Sequence, residues 1–231
     1  IVCASDEELA PFLTLIQGSK TTERAMLKFY KGHIDGTEVV ALFSGVCRVN
    51  AAIASQLLID LFNVDAIINP GAAGGMDPRL KILDTVISTE ICYHDLAPDI
   101  LTEFHPWMKS RFFKADHRLV EYSKAAIRNI KPSGTVVWGR MATGESFISE
   151  DGRQRIWDEF APLTVDMETA GIAHVCYANS IPFISIRCVT DTAQQGGADT
   201  FEKNCQKASV AAADITVALL HEIRDRQNKK Q

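Results

Sequence analysis

Short apolar runs bounded by turn residues alternate along the chain with segments in which apolar residues recur every three or four positions. The first pattern is typical of buried strands and the second of amphipathic helices. Strands are predicted over residues 27–34, 38–43, 64–69, 82–91, 134–138 and 181–189, and helices over about 9–16, 50–61, 115–129, 153–160 and 199–226. No internal repeat, linker or low-complexity segment interrupts this alternation. We therefore expect one α/β domain over residues 1–231.

Local signals support several of these boundaries. Ser5 is a helix N-cap candidate with Glu8 three residues later, which is the capping-box pattern, and an acid such as Glu8 is common in a first turn. Asp35 and Gly36 separate two strand-like runs and predict a hairpin. Residues 96–114 carry prolines and aromatics without a regular period, which is typical of a lid or a subunit interface.

The segment 164–195 carries two acid clusters. Asp166 and Glu168 stand between a short strand and a helix, and Asp191 ends a strand rich in β-branched and aromatic residues. In α/β proteins, ligands bind beyond the ends of strands. If the two strands are parallel neighbours, their carboxylates meet at one cleft. The sequence therefore predicts a polar site at these strand ends.

A second candidate contact is the stretch 70–75, Pro-Gly-Ala-Ala-Gly-Gly, which offers almost only backbone atoms. It suits close approach of a ligand or a neighbouring strand, and it equally suits a tight bend between strand and loop. It matches neither the GxGxxG fingerprint nor a P-loop with lysine, so nucleotide-phosphate binding of those kinds is excluded. The Ser-Gly-Val turn at 44–46 places further backbone amides at a strand end.

Composition narrows the functional classes. The formal net charge is −5, the pI is about 5.7 and no basic stripe is present, so we expect no nucleic-acid partner. No apolar run approaches the roughly 18 residues of a membrane span, so we expect no membrane partner. The Tyr-His-Asp triplet at 93–95 lacks the spacing of metal ligands, and we expect neither a metal nor a cofactor.

The six cysteines are widely scattered and form no CxxC pair. Several lie in apolar runs, which favours buried, reduced thiols and a cytoplasmic location over a disulfide framework. The chain opens with Ile1, Val2 and Cys3 and without a methionine, which leaves open whether further residues or a targeting segment precede it.

Seven short motifs occur in a fixed order and are much more specific together than singly. They are ASDEE at 4–8, SGV at 44–46, GAAGG at 71–75, YHD at 93–95, FI at 147–148, VDME at 165–168 and SIRCVTD at 185–191. This set resembles the 5′-methylthioadenosine/S-adenosylhomocysteine nucleosidases of the purine nucleoside phosphorylase superfamily, over nearly the whole chain. The resemblance implies a nucleoside-phosphorylase-like α/β fold with a central mixed, twisted sheet flanked by helices, and a small nucleoside substrate.

The resemblance also implies roles for individual residues. Glu8 would hold and deprotonate the attacking water, and Asp191 would protonate N7 of adenine so that the base leaves as a neutral molecule. Glu168 would bind the ribose hydroxyls. Breaking an N-glycosidic bond needs both leaving-group protonation and a positioned nucleophile. The other implied substrate contacts are Val46, Ala72, Phe147, Ile148, Met167, Thr190 and Phe201.

Other reactions in the same superfamily stay as alternatives. Phosphorylases need cationic side chains to hold phosphate, whereas the opening loop here carries acids and the 71–75 loop carries no arginine, which favours hydrolysis. Arg187 is expected to pair with Glu168 or another buried carboxylate, while Arg48 has no assigned partner. Hydrolysis of another purine nucleoside, as by futalosine hydrolases, and phosphorolysis are the alternative readings. A binding module without catalysis would lack Glu8 or Asp191, and both are present.

Departures from the family's usual residues cluster around the 5′ side of the sugar. Ala72 replaces a hydroxyl residue and Cys47-Arg48 replaces Gly-Lys, which leaves open the preference among methylthioadenosine, adenosylhomocysteine and 5′-deoxyadenosine. Family members are usually homodimers in which the partner lends an apolar residue to the 5′ pocket. Leu101 and Phe104 are the candidates here; the alternative is that their loop only covers the core of its own subunit.

Overall fold

The computed structural model describes residues 1–97, 99–104, 108–148 and 150–229. Within these ranges the strands are β1 (Val2–Cys3), β2 (Gln17–Arg24), β3 (Leu27–Ile34), β4 (Thr37–Phe43), β5 (Ile67–Gly75), β6 (Thr85–Tyr93), β7 (Phe112–Lys114), β8 (Val136–Thr143), β9 (Thr164–Asp166) and β10 (Phe183–Asp191). The helices are α1 (Asp6–Leu15), α2 (Arg48–Phe62), α3 (Ile100–Glu103), α4 (His117–Ile127), α5 (Glu150–Phe160), α6 (Thr169–Asn179) and α7 (Ala198–Asn228). Helices and strands alternate, as the hydrophobic pattern predicts.

The central sheet has the strand order β10-β5-β9-β8-β6-β7. Because β10 also pairs with β6, the strands from β10 to β6 close into a ring. Some neighbours are parallel, such as β10 with β5, and others are antiparallel, such as β5 with β9. A second sheet, β1-β4-β3-β2, is joined to the first where Asn69 Nδ2 of β5 donates to Val2 O of β1 at 2.8 Å. The predicted mixed sheet is confirmed.

Helices cover the central sheet on two sides. Helix α7 packs along β10 and β5 with α1 and α4 beside it, and α2 packs against α6. Phe12, Ile184 and Leu219 are buried in the first layer, and Leu58 and Ile172 in the second. Burying one such side chain stabilises the fold by about 1.5–3 kcal/mol. These two layers hold the strand ends that carry the acids in fixed positions.

The two acid-bearing strands are not neighbours, contrary to the expected arrangement. Strand β5 lies between β9 and β10; it is parallel to β10 and antiparallel to β9. The stretch 70–75 forms the second half of β5 rather than a bend, because its small residues let the flanking groups approach the backbone closely. The acids of β9 and β10 therefore meet across a strand made almost entirely of backbone.

Strand β2 has no counterpart among the predicted strands. All eight of its residues are exposed, so no apolar alternation marks it, and pairing with β3 holds it in place. The segment 96–114, expected to be irregular, contains α3 and β7. The strand predicted over 134–138 continues to residue 143, because β6 and β9 pair with β8 along this extension.

No helix in the described part of the chain combines the length and the apolar character needed to cross a membrane. The six cysteines are free, and all except the partly exposed Cys47 are buried. Burial raises the pKa of Cys92, Cys176 and Cys188 to about 12, so these thiols stay protonated at neutral pH.

Candidate active site

A cavity of about 240 Å³ opens where the ends of β5 and β10 meet the first turns of α1 and α6. Its described wall is mostly apolar, with carboxylates and an arginine set into it. A concave apolar pocket with a few convergent polar groups is typical of a small-molecule site. The wall includes the predicted residues Glu8, Val46, Ala72, Phe147, Ile148, Met167, Glu168, Asp191 and Phe201.

Glu8 reaches this cavity from the first turn of α1. Ser5 caps the helix by accepting a hydrogen bond from Glu8 N at 3.3 Å, as the capping-box pattern predicts. The Glu8 carboxylate, however, accepts from Ala4 N at 2.6 Å and from Ala72 N at 2.8 Å. It is only 5% exposed. The acid is therefore fastened to β5 and is not a solvated charge at a helix end.

Arg187 of β10 is fully buried among three carboxylates. Its Nη1 lies 3.5 Å from Glu8 Oε1, and its Nη2 lies 3.4 Å from Glu168 Oε2. Its Nε lies 3.6 Å from Asp166 Oδ2, and Nη2 also donates to Asn69 Oδ1 at 3.0 Å. The expected contact between Arg187 and Glu168 is present and is shared with two further acids.

The excess of buried carboxylates in this cluster affects their protonation. Burial, together with the charges of Asp166 and Glu8, raises the pKa of Glu168 to about 7, although Arg187 opposes the shift. Glu168 therefore changes charge near neutral pH. Across the residues that the structure describes, no group of three or more His, Cys, Asp or Glu side chains is arranged to hold a metal ion.

Asp166 caps α6 and thereby frees Glu168 to face the cavity. Asp166 Oδ1 accepts from Glu168 N at 3.1 Å and from Thr169 N at 2.9 Å. Glu168 Oε1 instead accepts from Cys47 N at 2.9 Å, at the start of α2. Cys47 has a φ of +81°, in the left-handed region that favours glycine. The carboxylate is thus held between the beginnings of two helices.

Asp191 ends β10 on the other side of β5 and is 1% exposed. Its Oδ2 accepts from Arg153 Nη2 at 2.8 Å, and its Oδ1 lies 3.0 Å from Thr190 Oγ1. Burial raises the pKa of Asp191, whereas Thr190 and Arg153 act in the opposite direction. Gly74 lies beside this carboxylate in β5, where a Cβ would be 3.4 Å from Oδ2.

Two aromatic rings line the cavity. Phe147, in the loop after β8, and Phe201, in the first turn of α7, stand edge to face with ring centroids 6.2 Å apart. Phe147 is 48% exposed, so it lies at the mouth of the cavity. Ile148 follows in the same loop and also lines the wall. Such rings suit a planar aromatic ligand.

Three of the predicted contact residues lie elsewhere. Thr190 is fully buried and is not part of the described cavity wall, because its hydroxyl lies between Asp191 Oδ1 and Ala73 O. Leu101 is 5% exposed and packs in the core of its own chain, which agrees with the alternative reading of its loop. Phe104 is 70% exposed and does not reach the cavity within its own chain.

Arg153 lines the cavity without having been assigned to it from the sequence, and Asp166, predicted as part of an acid cluster at a cleft but given no individual role, lines it as well. An arginine in the first turn of α5 opposes the positive end of that helix, so its position signals a specific anionic partner. Asp166 lies two residues before the N-cap Glu168 and accepts from the amides of Glu168 and Thr169. The signal from Arg153 is weak on its own, because an arginine in a short helix more often faces solvent.

Comparisons with known proteins show which family the chain belongs to. The phosphorylase superfamily model matches residues 1–221. A 5′-methylthioadenosine/S-adenosylhomocysteine nucleosidase of Anoxybacillus flavithermus is 36% identical over 231 residues, covering 96% of this chain and 97% of the relative. Another, of Staphylococcus carnosus, is 36% identical and covers 95% of this chain and 97% of the relative. The chain belongs to this nucleosidase family. The predicted enzyme class, an N-glycosyl hydrolase, is thereby confirmed.

Solved structures of the nucleosidase family share the fold. The nucleosidase of Colwellia psychrerythraea in complex with adenine has a TM-score of 0.88 at 32% identity, with 96% of this chain and 93% of that chain covered. The Neisseria meningitidis nucleosidase in complex with methylthio-immucillin-A has a TM-score of 0.87 at 29% identity, with 95% and 96% covered. A futalosine hydrolase of Helicobacter pylori, at 23% identity, 96% coverage of both chains and a TM-score of 0.86, shares the fold alone. The predicted nucleoside-phosphorylase-like fold is confirmed.

Gly71→Ala is expected to displace Glu8 and to lower nucleosidase turnover about 100-fold, since a misplacement of about 1 Å in an active site can have that effect. A Cβ at this position would collide with Glu8 Oε1 and lie 2.7 Å from Arg187 Nη1. Gly36→Ala is the matched control: its φ of +83° imposes backbone strain, but a Cβ there meets open space in the hairpin turn, so strain is tested without a collision. Steady-state kinetics measures turnover, and circular dichroism checks that each variant is folded. Normal turnover in Gly71→Ala would show that the structure accommodates the added Cβ without displacing Glu8.

Glu168→Gln is expected to gain stability relative to wild type as the pH rises from about 5 to about 8. The Glu168 pKa is raised from 4.5 to about 7, so over this window the folded wild type retains a proton that the unfolded chain has lost. Wild-type stability therefore falls with rising pH, whereas glutamine does not titrate. Urea unfolding at both pH values measures the difference. A pH-independent Glu168→Gln difference would contradict the raised pKa.

Proposed function

We propose that this protein hydrolyses the N-glycosidic bond of 5′-methylthioadenosine and S-adenosylhomocysteine, releasing adenine and the 5′-thioribose. The observation that carries the proposal is a single cavity walled by Glu8, Glu168 and Asp191, with aromatic rings at its mouth. Family structures in complex with adenine and with methylthio-immucillin-A support a nucleoside ligand at such a site. The two acids needed for a hydrolysis of this kind are both buried and both reach the cavity.

Asp191 acts as the general acid at N7 of adenine in this proposal. A carboxylic acid can donate near neutral pH only if its pKa is raised, and burial at the end of β10 acts in that direction. Phe147 and Phe201 hold the base by stacking, and the backbone of Ile148 reads its edge. The protonated base then leaves as neutral adenine, with the electron pair of the broken bond on N9.

Glu8 positions and deprotonates the attacking water. Both carboxylate oxygens accept a backbone hydrogen bond, Oε2 from Ala4 N and Oε1 from Ala72 N. Oε1 also faces Arg187, so the second lone pair of Oε2 is the one left for the water. These amide donors fix the direction in which the water is held. A carboxylate beside the sugar would also stabilise positive charge that develops at C1′.

Glu168 binds the ribose hydroxyls, and Met167 packs beside the sugar. Val46 and Ala72 line the ribose and 5′ side with small apolar surfaces. Because these residues demand no particular polar group on the substrate, the proposal extends to 5′-deoxyadenosine. Specificity then comes from the base and the ribose hydroxyls more than from the 5′ substituent.

Charge on the water side favours hydrolysis over phosphorolysis. A phosphate would have to enter beside Glu8, where Arg187 is the described cation and is already paired with three carboxylates. Arg48 pairs with Asp95 and Glu145 at 2.7 and 2.6 Å and is not part of the described cavity wall. Arg153, in the cavity wall, is paired with Asp191 at 2.8 Å. None of the three guanidinium groups is therefore available to neutralise a phosphate dianion.

A homodimer completes the 5′ side of the cavity in this proposal. Val46 at the cavity wall is 49% exposed, and Val49 in the first turn of α2 is 67% exposed. Val49 also lines an apolar groove beside α2. A second copy that covers these side chains would bring an apolar residue to the substrate, and the exposed Phe104 is the remaining candidate.

Asp191→Asn and Glu8→Gln separate the two roles. Asparagine keeps the shape of Asp191 but has no acidic proton to transfer, and glutamine cannot accept a proton from water. We expect each to lower kcat for adenine release from 5′-methylthioadenosine by about 100-fold or more, while methylthio-immucillin-A still binds Glu8→Gln. Near-normal turnover in Asp191→Asn would refute the general-acid role of Asp191. Loss of inhibitor binding in Glu8→Gln would show that Glu8 maintains the structure of the site rather than activating water.

A further inference from the structure

Arg153 is a charged residue of the cavity wall for which the proposed reaction has no role. It comes from the first turn of α5 and is 8% exposed. Its Nη2 donates to Asp191 Oδ2 at 2.8 Å and its Nη1 to Gly75 O at 2.6 Å. The carbonyl of β5 fixes the guanidinium, so its position does not depend on Asp191 alone. Asp191, the proposed acid, is thus held in a buried ion pair with Arg153.

The second oxygen of Asp191 lies beside the Thr190 hydroxyl, which can either donate or accept a hydrogen bond. Thr190 Oγ1 lies 3.0 Å from Asp191 Oδ1 and 3.2 Å from Ala73 O, and its single proton can go to either. When Thr190 donates to Asp191, both carboxylate oxygens accept hydrogen bonds, which is the arrangement of an ionised carboxylate. When Thr190 donates to Ala73 O, it can accept a hydrogen bond from a protonated Asp191. The surroundings therefore accommodate both charge states.

The charged groups around Asp191 differ in how close they lie to its carboxylate. Arg153 of α5 is in direct contact, while Glu8 of α1 and Asp166 and Glu168 before α6 face it across the cavity. From α7, the neutral Asn204 donates to Thr190 O at 3.0 Å. Burial raises the pKa of Asp191, and Arg153 opposes this effect. Arg153 is thus the charge best placed to keep the acid ionised before substrate enters.

We propose that Arg153 is a positioning residue that holds Asp191 ionised and oriented in the ligand-free protein, so that the proton for the base is taken up from solvent with the substrate. This inference rests on the proposed role of Asp191 as the acid. On binding, Asp191 takes up a proton and Thr190 turns to the Ala73 carbonyl. The proton then passes to N7 as the N9–C1′ bond breaks, water oxygen bonds to C1′, and the water proton goes to Glu8.

Arg153→Met tests this assignment through the pH dependence of kcat/KM, which reports the free enzyme. Activity requires protonated Asp191 and is lost as the pH rises through its pKa. Removing a contacting cation raises that pKa, so the alkaline limb should move up by about one pH unit or more. Arg153→Lys should return the limb towards its wild-type position. Arg155→Met removes the same charge from the same helix, where Arg155 instead contacts His94 O, and should leave the limb unchanged.

Infrared difference spectra against the Asp191→Asn variant provide a readout that does not depend on turnover. In ligand-free wild type, the carboxylic-acid band of Asp191 should disappear at a lower pH than in Arg153→Met. Coincident titrations in the two proteins, or an unmoved alkaline limb in a folded Arg153→Met, would overturn the inference. Near-normal turnover in Asp191→Asn would instead overturn the acid assignment, whether or not the infrared titration responds to Arg153.

Discussion

The site depends on one buried guanidinium. Arg187 is fully buried on β10 and contacts Glu8 from α1 as well as Asp166 and Glu168 from the start of α6. Leaving such a group without its partners costs about 3–5 kcal/mol, so the carboxylates are required to stay where they are. The arginine thereby fixes the distance between the acid proposed to hold water and the acid proposed to hold the ribose.

This cluster is possible because β5 is nearly free of side chains. Gly71 lets Glu8 and Arg187 approach the strand from one side, and Gly74 lets Asp191 approach it farther along. Ala72 adds its amide to Glu8 and its carbonyl to Arg187. A strand of ordinary side chains would separate these groups, so the small residues of β5 join the water side of the cavity to the base side.

The residues that belong to recognisable motifs could be predicted from the sequence. Residues whose role depends on tertiary contacts could not. The order of seven motifs indicated Glu8, Glu168 and Asp191, and apolar periodicity predicted most helices. Strand β2 was missed because its eight residues are all exposed. Arg153 was missed because its one local signal, a cation in the first turn of a helix, is weak and does not show that the side chain points towards β10. The resemblance implied a substrate contact at Thr190, whereas strand alternation directs its hydroxyl to Ala73 O and to Asp191 Oδ1.

The central claim is that water, held at Glu8, is the nucleophile. The most direct test is adenine release from 5′-methylthioadenosine in phosphate-free buffer made with oxygen-18 water, repeated with phosphate added. The account predicts equal rates and free methylthioribose that carries the solvent oxygen at C1′. Release only with phosphate, giving a sugar phosphate, would contradict it and would require Arg48 or Arg187 to bind the anion.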